Sequence, residues 1–278
     1  MLKLIRFVSL TAIIACSSIT CRAASDEEAS RGLFDRILGE KSGQFIIEKA
    51  STGQDVDYYE VESVGNKVVI RGNNSNSIAV GLNHYLKYYC LTSVSWYADD
   101  PIQLPEVLPV VPEKVVVKSL CKNRFFLNYC TFGYTMPWWQ WRDWERFIDW
   151  MALNGVNMPL AITGQESIWY RVWKKLGLED NEIRAYFTGP AHLPWHRKLN
   201  IDYWQRPLPH SWLDHQENLQ KKIVSREREL GMKPVLPAFS GHVPYELKRV
   251  YPNAKINKMS QWGGFDTLYR SSFLDPTD

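Results

Sequence analysis

Val156-Asn157-Met158-Pro159-Leu160-Ala161-Ile162-Thr163-Gly164-Gln165-Glu166 decides the fold. The apolar run from Val156 to Ile162 has the length of a buried strand rather than a helix. It ends in Thr-Gly-Gln-Glu, where a helix is predicted to start and run through Trp173. Working outward, the same order repeats. Phe125-Phe126-Leu127 is a short apolar run ending in Asn128-Tyr129-Cys130, followed by a helix with Trp141, Trp144, Ile148 and Met151 on one stripe. Residues 211–230 read as a long helix ended by Gly231, and Pro234 to Ala238 as a third strand ending in Ser240-Gly241-His242. Three β-α units in a row imply a parallel sheet with right-handed crossovers. Polar residues gather where each strand ends, which is where barrel and doubly wound enzymes place their chemistry. No GxGxxG or Walker-type loop accompanies them, which argues against nucleotide binding.

The first part of the chain has a different rhythm. Leu33, Phe34, Ile37 and Leu38 recur at helical spacing. Short β-like runs follow at Gln44 to Glu48, Tyr58 to Val64 and Lys67 to Arg71, with Gly65-Asn66 as a hairpin turn between the last two. Ile78 to Tyr89 reads as an amphipathic helix capped by Asn76 or Ser77. Pro101, Pro105, Pro109 and Pro112 mark a linker. The expected organisation is an export signal over 1–23, a small α+β domain over 24–98, a Pro-rich linker over 99–118, and a β-α domain over 119–278.

Composition sets the limits. A chain of 278 residues that is 45% hydrophobic and 23% charged has enough apolar content for a large core, which excludes disorder and a fibrous protein. Eleven of the twelve Trp lie between Trp138 and Trp262. Lys3 and Arg6 followed by the apolar run Leu4 to Ala15 read as an export signal, too short to span a bilayer. Cleavage after Cys21-Arg22-Ala23 and a lipobox-like Ile13-Ile14-Ala15-Cys16 that would leave Cys16 lipidated are both open, so the localisation is periplasmic or secreted, or lipid-anchored. Without the signal, the formal charge of +3 falls to zero, which argues against nucleic acid or membrane binding by charge alone. Of the five Cys, Cys90, Cys121 and Cys130 remain, with no zinc-type spacing among them.

Six segments are more specific than any periodicity. Trp144-Glu145-Arg146-Phe147-Ile148-Asp149-Trp150-Met151-Ala152-Leu153-Asn154-Gly155-Val156-Asn157 resembles the alpha-N-acetylglucosaminidase family, glycoside hydrolase family 89. So do Gly164-Gln165-Glu166-Ser167-Ile168-Trp169, Phe187-Thr188-Gly189-Pro190-Ala191, Pro234-Val235-Leu236-Pro237-Ala238-Phe239, Gly241-His242-Val243-Pro244 and Lys258-Met259-Ser260-Gln261-Trp262-Gly263. The resemblance implies a small α/β domain, then a (β/α)8-type barrel, then a mostly helical domain. It implies removal of terminal, non-reducing alpha-linked N-acetylglucosamine by a retaining mechanism without metal or organic cofactor. The glycan is left open between heparan-type and mucin-type chains.

The resemblance also implies that Asn128, Cys130, Tyr134, Trp195 and Trp262 line the sugar pocket. Asn128 and Cys130 follow a strand end, as the β-α reading requires; Trp195 follows Pro194 in a predicted loop, and Trp262 precedes Gly263-Gly264. Glu166, at a helix start where its charge suits the dipole, and His242, after the third strand, are weaker sugar-contact or supporting candidates. The family's two catalytic glutamates have no counterpart here; the first, in an Asn-Glu motif, is expected beyond Asp278. The fold expected is therefore α/β: a small α+β domain followed by about three of the eight strands of a truncated (β/α)8-type barrel. An inactive or sugar-binding fragment is the main alternative, and an unrelated barrel enzyme using Glu166 and His242 a more distant one.

Overall fold

In the computed structural model, residues 24–50, 56–98 and 101–277 are described; the predicted export signal lies outside them. The first helix, α1 (Asp26–Leu38), starts at a capping box: Glu28 N–H donates to Ser25 Oγ, and Ser25 N–H to the Glu28 carboxylate. Leu33, Phe34 and Leu38 line its buried face. Strands β1 (Phe45–Lys49), β2 (Tyr58–Val64) and β3 (Lys67–Gly72) follow, then α2 (Ser75–Tyr88) and β4 (Val115–Lys118). They form one sheet in the order β1-β3-β2-β4, with β1 parallel to β3 and the other pairs antiparallel.

Two expectations shift here. Helix α2 begins one turn earlier than its periodicity suggested, because Asn74 rather than Asn76 or Ser77 caps it by accepting from Ser77 N–H. The last four residues of the Pro-rich stretch are not linker. Val115 to Lys118 pair with β2 and complete the sheet.

The β-α part opens with β5 (Phe125–Phe126), α3 (Thr131–Tyr134), α4 (Trp141–Leu153) and β6 (Met158–Pro159). Strands β5 and β6 are parallel. The third strand is reduced to a bridge between Leu160 and Val235, also parallel, with Ala161 N–H donating to Val235 O over 2.9 Å. Pro234 and Pro237 explain the shortness, since proline has no N–H for a ladder. Between β6 and that bridge run α5 (Gln165–Lys175), α6 (Asp180–Tyr186), α7 (Leu193–Arg197) and α8 (His210–Glu229). After it come α9 (Leu247–Val250) and the antiparallel pair β7 (Ile256–Lys258) and β8 (Ser272–Leu274).

Among the described residues there are two hydrophobic cores. The first joins the small domain to the barrel: Leu82 and Leu86 of α2 pack in one cluster with Ile148 and Met151 of α4. Polar contacts pin the same junction. Asn76 and Asn83 donate to Val156 O (2.8 Å) and Leu153 O (2.7 Å), and Arg36 makes two 2.7 Å bonds to the buried Asp149. The second core holds the long excursions that follow β6 and the third strand. Its members include Trp173, Ile183, Tyr186, Phe187, Leu213 and Val243. This second core positions the site.

Candidate active-site wall

Asn128 lies just past β5, and its Oδ1 accepts from both the N–H and the hydroxyl of Thr131, each at 3.2 Å. That local bond starts α3, which carries the exposed Tyr134. The Tyr134 ring meets Trp195 edge-on, 5.5 Å between centroids. Trp195 sits on α7 rather than in a loop, because Pro194 is at a first-turn position where its missing N–H does no harm. A helix there also fixes Lys198, three residues on, beside it: the Lys198 ammonium is 5.7 Å from the Trp195 ring centroid and donates to Cys130 Sγ at 2.9 Å. Trp262 closes the other side at 6.2 Å from Trp195, backed by Phe265, which stacks on it at 5.7 Å. His192 touches Trp195 (5.8 Å) and Phe265 (6.0 Å). Gly133 is part of the fit, since a Cβ there would lie 2.5 Å from the Trp195 ring.

Cys130, Tyr134, Trp195 and Trp262 thus form one aromatic wall, with Asn128 at its edge. Cys130 is a free thiol, as are the buried Cys90 and exposed Cys121. Lys198, His192 and Phe265 are additional members. Lys198 carried a usable sign in its i,i+3 spacing from Trp195, but only once 193–197 is read as a helix.

Glu166 and His242 stand one layer behind. Glu166 is 1% exposed, and both its oxygens take hydrogen bonds from Arg197, at 2.6 and 2.9 Å. It holds the last turn of α7 and has no oxygen left facing a ligand. His242 is buried too. Its Nε2–H and the Nδ1–H of His196 donate to Asp202 Oδ1 at 2.8 and 3.0 Å; Ser271 Oγ donates to the same oxygen and Ser272 N–H to Oδ2. Burial alone would raise the Asp202 carboxyl, but the two imidazoles beside it, His242 and His196, outweigh that and hold it well below the usual carboxylate range. Burial pushes His242 below its ordinary range despite the carboxylate.

His196, Asp202 and His242 put three possible ligand atoms within 4.8 Å of one another, a set that suits a divalent ion. The surroundings favour a hydrogen-bonded polar core instead. Asp202 is already enclosed by four donors, and the outer nitrogens, His196 Nε2 and His242 Nδ1, lack the partners that metal-bound imidazoles ordinarily have. On the same segment as Asp202, Leu199, Tyr203 and Gln205 have left-handed conformations (φ 58°, 63° and 57°) that non-glycine residues adopt uncommonly. A cleft of about 990 Å³ lies behind Trp169 between α5 and α8, lined also by Leu236 and Pro237. It is separate from the aromatic wall.

Residues 124–278 match the model of the alpha-N-acetylglucosaminidase (NAGLU) tim-barrel domain, and residues 28–110 that of the NAGLU N-terminal domain. The chain belongs to the alpha-N-acetylglucosaminidase family. It is 42% identical to the human alpha-N-acetylglucosaminidase over 261 residues, covering 91% of this chain and 35% of the human one. A family 89 glycoside hydrolase from Clostridium perfringens superposes with a TM-score of 0.84 at 36% identity, covering 90% of this chain and 28% of that one. That bacterial enzyme has been seen with 2-acetamido-1,2-dideoxynojirmycin and, with two glutamates changed to glutamine, with its substrate GlcNAc-alpha-1,4-galactose. The chain therefore spans about a third of the length of these relatives. As in the family, the order is a small domain followed by barrel units.

Proposed function

We propose that this chain forms the sugar-holding wall of an exported exo-glycosidase that removes terminal, non-reducing alpha-linked N-acetylglucosamine with retention of configuration. The observation that carries this is the convergence of Cys130, Tyr134, Trp195 and Trp262 from segments up to a hundred and more residues apart. Aromatic rings suit the apolar face of a pyranose, and the polar groups at their edge suit its hydroxyls. Export rests on Lys3, Arg6 and the apolar run after them.

Retention requires a nucleophilic carboxylate and an acid about 5–5.5 Å apart. Glu166 and Asp202 do not supply that pair, since one is held by Arg197 and the other by four donors. The two catalytic carboxylates are assigned to parts of the family fold outside residues 24–277. The wall described here binds and orients the sugar. The same observation favours a second reading for this segment taken alone, that it binds sugar without cleaving it.

The test is the intact enzyme on a chromogenic alpha-N-acetylglucosaminide, followed by NMR. Release with the alpha anomer appearing first is expected. Beta anomer first would refute retention, and no release under conditions where the enzyme is folded would refute the activity.

A further inference from the structure

Lys198 is a charged member of the wall that the resemblance does not account for. Its backbone is fixed: it caps α7, with its N–H donating to Trp195 O at 3.2 Å. Its neighbour Arg197 turns the other way, into Glu166. The Lys198 ammonium is half-buried between Cys130 Sγ at 2.9 Å and the Trp195 ring at 5.7 Å. An ammonium carries three donors. A thiol sulfur is a weak acceptor and a ring face attracts the charge without accepting in a directed way. Among the described residues no carboxylate pairs with Lys198. Donor capacity is therefore left over at the point where Trp195 and Cys130 meet, and it suits a neutral oxygen acceptor held against the rings.

We propose that Lys198 is a substrate-binding residue that donates to one hydroxyl oxygen of the bound terminal N-acetylglucosamine, and so helps select that sugar. This rests on the function proposed above. Cys130 orients the ammonium, and Trp195 keeps it at the wall when no sugar is present.

The test measures inhibition of the intact enzyme by N-acetylglucosamine and by its 3-, 4- and 6-deoxy analogues, with wild type and Lys198→Met. A hydrogen bond from a charged donor predicts roughly ten- to hundredfold weaker binding of N-acetylglucosamine by the variant. One analogue, lacking the contacted hydroxyl, should bind both proteins equally. An equal loss for every analogue, or no loss, would overturn the proposal and leave the activity standing. Failure of wild type to bind N-acetylglucosamine would instead remove the functional reading itself. Should Lys198→Met unfold, Lys198→Arg is run through the same series and must still single out one hydroxyl.

Discussion

Glu166 and Arg197 are joined by two short hydrogen bonds, 2.6 and 2.9 Å, with both side chains almost wholly out of water. One residue starts the helix after a barrel strand, and the other ends the helix that carries Trp195. The pair ties the barrel to the wall of the site. Removing one partner leaves a buried, uncompensated charge, so Arg197→Met is expected to cost on the order of 3–5 kcal/mol. Arg197→Met with Glu166→Leu should cost clearly less than the two single changes added together. Denaturant midpoints of the four proteins decide it, and simple additivity would dismiss the pair as a unit.

Gly133 gives a test of the wall that leaves its chemistry alone. A Cβ at this position would lie 2.5 Å from the Trp195 ring and 3.1 Å from Ala191 O. Gly133→Ala should push the indole away, lowering affinity for N-acetylglucosamine about tenfold or more while overpacking costs only about 1–3 kcal/mol. A shifted Trp emission with weakened binding is expected. Unchanged binding would show that Trp195 does not touch the sugar.

Glu227 makes stability depend on pH. It is 1% exposed on α8 with Oε2 unpartnered, and burial pushes its carboxyl from 4.5 up to about 8. Below 4.5 both folded and unfolded chains hold the proton; between there and about 8 only the folded chain does. This group therefore lowers stability as pH rises through that window. Glu227→Gln should add on the order of 3 kcal/mol near neutrality and almost nothing at acid pH. Thermal unfolding at the two pH values checks it, and the same gain at both would contradict the assignment.

The 278-residue polypeptide by itself is expected not to hydrolyse a chromogenic alpha-N-acetylglucosaminide. Ile168, Leu236 and Phe239 are 54%, 65% and 69% exposed. An apolar flank of this kind, beside a strand edge, favours association. Light scattering should show self-association at micromolar concentration. Turnover of about 1 per second or more by monomeric material would mean that an acid among these residues does the chemistry.

Much of the fold could be read from local signals. The Gly65-Asn66 turn, the stripe of α4 and the α8 stop at Gly231 all came from spacing and backbone preference. Strand β4 was hidden because Val115 to Lys118 follow a proline-rich run and gain their state only from β2. The third barrel strand was overestimated because Val235 to Ala238 look β-like, while the flanking prolines limit the pairing. At the site, the family resemblance picked out residues that do converge. Periodicity alone could not find Lys198 or the joining of His196 and His242 at Asp202, since these meet only after the excursions fold on each other.

The junction between the small domain and the barrel also sets an order for synthesis. Arg36 finds Asp149 more than a hundred residues later, Asn76 binds Val156 O, and Ser75 Oγ waits for Glu229 O. A ribosome delivers α1, α2 and their sheet first, but the α4 surface on which α2 packs is still inside the exit tunnel or untranslated at that moment. The early helices must remain unfinished, with Leu82 and Leu86 lacking part of their cover. A chaperone that covers α2 before Leu153 has emerged therefore shields this face, whereas a translational pause in the same interval prolongs its exposure.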